Sequence, residues 1–153
     1  MQDNYKQPAH LNYAGVQRKN PMMYTIYYTA DTDILGIYNL AKGEETTHKS
    51  FECAINTASA SDEGPYRQTL VGMIERDDTY QDKLHFKTDA LYYETHDNGT
   101  SESLIENAKL VPLLKKTSAL GCTVKIKALY FKPYKTNTMF IPTDDLLREI
   151  QRP

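Results

Sequence analysis

Between Met23 and Thr57, three stretches rich in tyrosine, isoleucine and threonine follow one another with few polar residues between them. No other feature constrains the fold of this chain so much. "MYTIYYTA" runs from Met23 to end at Asp31, "ILGIYNLA" covers 34–41, and "HKSFECAINT" covers 48–57. β-Branched and aromatic side chains suit a pleated, half-buried surface, and Lys42-Gly43 supplies a turn. Links this short join neighbouring strands only in antiparallel order, so a three-stranded meander is expected.

The rest of the chain alternates between the two periods. After a small and polar loop (57–65), Pro65 suits the first turn of a helix in which Leu70, Met73 and Ile74 recur at helical spacing. The charged run 75–83 ends that helix. In "LHFKTDALYYET" (84–95), Leu84, Phe86 and Thr88 fall on one side of an extended chain, and His85, Lys87 and Asp89 on the other. Asp89 is expected to end this fourth strand, with "ALYYET" opening a short helix and Asp97-Asn98-Gly99 turning the chain. Ser103 and Glu106 form a capping box before an apolar stripe of Leu104, Ala108 and Val111. Pro112 kinks that helix or starts a second one, which Gly121 closes. A fifth strand (122–133) and a terminal helix (143–151) follow. The expected order is βββαβααβα, with Ile26, Leu70, Ile74, Leu84, Phe86, Val124 and Ile126 in the core.

At 153 residues the chain suits one domain, read as a flexible arm over 1–22 and a single folded unit over 23–153. A net charge of −2 excludes binding to polyanions by bulk electrostatics alone. No apolar run approaches the roughly 18 residues of a membrane span. Cys53 and Cys122 stand far apart without a CxxC, and the four histidines lack zinc-ligand spacing. The chain is therefore expected to be intracellular, with reduced thiols.

Three motifs carry a resemblance. "YYTAD" (27–31), "KTDALYY" (87–93) and "FKPYKTNTMFIPTDDLLREI" (131–150) resemble the first strand, fourth strand and final block of the ribonuclease H-like superfamily, as in reverse transcriptases and cellular ribonuclease H. The resemblance covers Met23 to Ile150 and implies an α/β fold, a five-stranded mixed sheet with helices on its faces, in which "YTIYY" pairs parallel to "LHFKT". In that family two divalent ions about 4 Å apart activate water and stabilise the leaving oxygen of a phosphodiester. Carried over, Asp31, Asp89 and Asp144 become the catalytic and metal-ligating carboxylates for Mg²⁺ or Mn²⁺. The family's helix glutamate falls on Thr69 and its mobile histidine on Tyr134, which depletes the site. The resemblance thus implies a module that binds nucleic acid or a protein partner with little or no cleavage. One alternative is a metal-dependent ribonuclease acting on RNA–DNA hybrids or structured RNA through the three aspartates. The other is an unrelated small α/β interaction protein.

Overall fold

Period-two alternation extends well beyond the five expected strands and builds one curved sheet. The structure is a computed structural model and describes residues 7–37, 48–55, 67–96, 100–128 and 132–153. Its strands are β1 (Leu11–Asn20), β2 (Met23–Ala30), β3 (His48–Ala54), β4 (Arg67–Met73), β5 (Glu75–Arg76), β6 (His85–His96), β7 (Ser101–Leu104), β8 (Ala119–Lys127), β9 (Tyr134–Lys135) and β10 (Met139–Pro142). Two helices, α1 (Asn107–Leu114) and α2 (Thr143–Ile150), complete it. Seven strands follow the order β1-β2-β6-β4-β3-β8-β10, and the pairings among the described residues are antiparallel.

The sheet curls until its two edges nearly meet as a barrel. At one end the Asn137 N–H donates to the Ala9 carbonyl at 3.0 Å. Nearby, the Tyr134 hydroxyl accepts from the Ala9 N–H at 2.6 Å and donates to the Gln7 carbonyl at 3.1 Å. Helix α2 closes the rest of the seam against β1. Tyr13 donates to Asp145 Oδ2 at 2.7 Å, and the Arg18 N–H donates to Glu149 Oε1 at 2.8 Å. Inside, Tyr28 stacks on Phe51 and Phe86 with ring centroids 4.9 and 6.1 Å away. Its hydroxyl meets that of Thr88 at 2.7 Å, so a polar atom in the core is not left without a partner. Burial keeps the Tyr28 and Tyr92 hydroxyls protonated far above the ordinary tyrosine range.

This architecture overturns the ribonuclease H-like assignment and its five-stranded mixed sheet. Residues 24–29 do lie beside residues 85–90, but antiparallel, with Thr25 opposite Asp89 and Thr29 opposite His85. A parallel pairing needs a crossover, and the expected crossover helix is strand β4. Leu70 and Ile74 are four apart, a spacing that fits one face of a helix and also one face of a strand. Between them stands Gly72, where an apolar residue would have exposed the alternation. A Cβ there would collide with the Asp89 carbonyl oxygen and sit 2.7 Å from Thr88 Cγ2, so the close approach of β4 to β6 requires glycine.

Other expectations change with it. "ALYYET" continues β6, with Ala90, Tyr92 and Glu94 inward, and Asp89 lies mid-strand. Leu11–Asn20, taken as part of a flexible arm, pair with β2 as β1. Ile34–Gly36 form a 3-10 turn where a strand was expected. Residues 38–41 of that strand, the Lys42-Gly43 turn, the whole 57–65 loop and the turn at 97–99 lie outside the described residues. Pro112 sits inside α1, and "SALG" leads into β8 without a second helix. Of the expected core, Ile26, Leu70, Ile74, Phe86, Val124 and Ile126 are buried, while Leu84 is exposed. The terminal helix is present as α2.

Cys53 and Cys122 are direct partners across β3 and β8 and are joined by a disulfide, both fully buried. The expectation of reduced thiols is corrected by that register, and the intracellular placement loses the support it drew from them. Among the described residues no helix is long and apolar enough to cross a membrane.

Candidate outer-face groove

The three aspartates drawn from the resemblance sit in separate surroundings. Asp31 is exposed just past β2, where its Oδ1 accepts the His10 N–H at 2.9 Å and fixes the entry to β1. Asp89 lies opposite Thr25, six residues back along β2 (31 − 25). At about 3.3 Å per residue, Asp31 and Asp89 are on the order of 20 Å apart. Asp144 is exposed in the first turn of α2, where an acid complements the unpaired N–H groups. Thr69 is buried on β4 opposite Tyr93, and Tyr134 is part of the seam. Antiparallel pairing sets Asp89, mid-strand in β6, opposite Thr25 near the start of β2, while Asp31 follows the far end of β2, which is why these acids do not converge. Among the described residues no three His, Cys, Asp or Glu side chains are gathered as a metal would need.

One of the three nevertheless belongs to a concave surface. Alternation along β6 turns Phe86, Thr88 and Ala90 into the core and presents His85, Lys87 and Asp89 outward, as the sequence pattern indicated. Beside them on β2 stand Thr25 and Tyr27, and beyond these Gln17 and Lys19 on β1. Two clefts lie along this outer face. One, of about 290 Å³, is lined by Gln17, Lys19, Thr25, Tyr27, Lys87 and Asp89, with Arg18 at its side. The other, of about 430 Å³, is lined by Tyr27, Asp77, Thr79, Tyr80, His85 and Lys87. Tyr27 and Lys87 are register partners and line both, so the clefts adjoin across this pair and together make an outer-face groove over β1, β2 and β6.

The ends of the groove differ chemically. At the smaller cleft, Lys19 Nζ donates to Asp89 Oδ2 at 2.7 Å and Thr25 Oγ1 donates to Asp89 Oδ1 at 2.6 Å. Partial burial pushes the Asp89 carboxyl up, but the Lys19 and Thr25 hydrogen bonds, with the Lys19 and Lys87 charges, outweigh it and hold it below the usual carboxylate range. The same hydrogen bond and charge hold Lys19 above the ordinary lysine value. The Lys87 side chain makes no hydrogen bond or salt bridge among the described residues, and its ammonium lines the smaller cleft. At the larger cleft, Tyr80 stacks on His85 with centroids 3.7 Å apart and planes within 6°. His85 Nδ1 meets Asp82 Oδ1 at 2.8 Å, and that carboxylate also accepts the Leu84 N–H at 2.9 Å. Asp77 accepts from Thr79 N–H and Oγ1 at 3.2 and 2.7 Å, which shapes the turn that carries Tyr80.

The groove therefore offers aromatic faces, two lysines and two carboxylates, Asp77 and Asp89, each held by hydrogen bonds. Sequence reasoning found its β6 side and missed Gln17, Lys19, Tyr27 and Tyr80. The Asn20-Pro21 turn signal ahead of a tyrosine-rich strand was the cue to a hairpin that brings Lys19 back beside Asp89. No protein-family model, no curated protein and no solved structure matches this chain.

Proposed function

We propose that this chain is a binding module that takes a single-stranded nucleic acid along the outer groove of β1, β2 and β6. The observation that carries this reading is that the two clefts adjoin, with Tyr27 and Lys87 common to both. His85 and Asp89 are four positions apart along β6, or about 13 Å, long enough for a short stretch of strand. Rings stack on any base, and each stacked base contributes about 1–3 kcal/mol, so aromatic faces with nearby lysines suit single strands better than duplexes. The net charge of −2 gives no long-range attraction, so affinity comes from local contacts.

Fluorescence anisotropy with labelled single-stranded oligonucleotides over a salt series tests it. With Lys87 as the phosphate contact and Lys19 paired to Asp89, log K should fall against log salt with a slope of about −0.7. Lys87→Ala should flatten the slope by about 0.7. Tyr27→Ala should weaken binding by roughly 1–3 kcal/mol per lost stack and leave the slope unchanged. Absence of binding, or binding indifferent to both substitutions, refutes the reading and leaves a protein partner as the alternative.

A further inference from the structure

Resting on the reading above, we infer that the strand bound is RNA, and that Asp89 distinguishes it from DNA by accepting a hydrogen bond from a ribose 2′-hydroxyl. A carboxylate is out of place in a groove built for phosphates alone, because it repels them at close range. Asp89 is nonetheless held there from two strands, by Lys19 at 2.7 Å and by Thr25 at 2.6 Å, with its side chain 21% exposed toward the smaller cleft. Each oxygen thus accepts one of these bonds. An ionised carboxylate has about four acceptor positions, so acceptor capacity remains for a ligand. The ligand group it suits is a donor without negative charge.

A nucleic-acid strand offers two kinds: hydroxyls on the sugar and exocyclic amines on some bases. The positions of the other groups favour the sugar. The Tyr80–His85 stack supplies a face for a base at the end of the groove away from Asp89, while Lys87, opposite Tyr27, stands between His85 and Asp89 on the same face of β6. A base on the Tyr80–His85 stack and a phosphate at Lys87 bring the next sugar along β6 to Thr25 and Asp89. The 2′-hydroxyl is both donor and acceptor and is the group by which proteins tell RNA from DNA. Neutralised in part by Lys19, the Asp89 carboxylate accepts it without facing an unscreened phosphate.

The experiment compares one uracil-containing sequence as all-ribose, all-deoxyribose and 2′-O-methyl strands, with the unmodified protein and with Asp89→Ala. The unmodified protein should bind the ribose strand on the order of tenfold more tightly than the other two, as expected for one hydrogen bond to a charged group. Asp89→Ala should bring ribose affinity down to the deoxyribose level while deoxyribose affinity stays level or rises. Single 2′-deoxy replacements read the same contact without altering the protein, should that variant fold poorly. They should place most of the loss at one nucleotide. Equal affinity of the unmodified protein for ribose and deoxyribose strands overturns the inference but leaves the binding module standing. So does a ribose preference that survives Asp89→Ala. Failure to bind any of the strands overturns both.

Discussion

Opening the Cys53–Cys122 disulfide should destabilise the chain chiefly through its unfolded state. The two cysteines are 69 residues apart in sequence, so the cross-link closes a large loop. The chain-entropy relation for a loop of that size gives about 4.4 kcal/mol at 25 °C. This is close to half the stability of a typical small domain. Both residues are fully buried, Cys53 between Phe51 on β3 and Ile55 just past it, and Cys122 between Leu120 and Val124 on β8. Reduction alone removes the constraint while leaving the packing atoms in place, whereas Cys53→Ala with Cys122→Ala also empties part of the core. The assay is urea unfolding of oxidised and fully reduced protein, with reduction carried out in denaturant because solvent does not reach the sulfurs. With a slope near 2 kcal/mol/M, the midpoint should fall by roughly 2 M. The slope itself should rise, since the freed chain exposes more surface when unfolded. A reduced protein within about 1 kcal/mol of the oxidised one would refute the loop-closure argument. Quantitative thiol titration of the folded protein would contradict the pairing itself.

Two further expectations follow from particular contacts. Gly72→Ala forces a methyl against the Asp89 carbonyl and Thr88, and should cost roughly 1–3 kcal/mol in thermal or chemical unfolding; a neutral outcome would show that β4 can move away from β6. The Glu149 carboxyl is held below its ordinary range first by the Arg152 hydrogen bond, which outweighs burial, with help from the Arg18 N–H. A depressed carboxyl contributes stability that is full above its unfolded value near 4.3 and is lost as pH falls through that value to the lower folded one. Glu149→Gln should therefore lower stability at pH 7 by on the order of 1–3 kcal/mol and flatten its decline between pH 5 and 3. An unchanged pH slope would show that the ion pairs at the end of α2 contribute nothing to seam closure.

What the sequence determined by itself was local. The β-branched and aromatic runs at 23–30 and 48–54 are strands, the acidic start of "TDDLLREI" opens a helix, and the outward set His85, Lys87 and Asp89 follows from alternation alone. Which strands pair, and in which direction, was decided only in three dimensions. Short motifs such as "YYTAD" and "KTDALYY" read the same at the end of a parallel strand and within an antiparallel one, so they could not exclude the wrong topology. Gly72 erased the apolar alternation of β4 because its missing side chain is dictated by the neighbouring strand β6. The polar hairpin strand β1 gains its order from pairing with β2 and from α2. The disulfide and the groove share that origin. Cys53 meets Cys122, and Lys19 meets Asp89, because ladders of backbone hydrogen bonds set the register between segments some 70 residues apart, and side-chain periodicity carries no record of such distant partners.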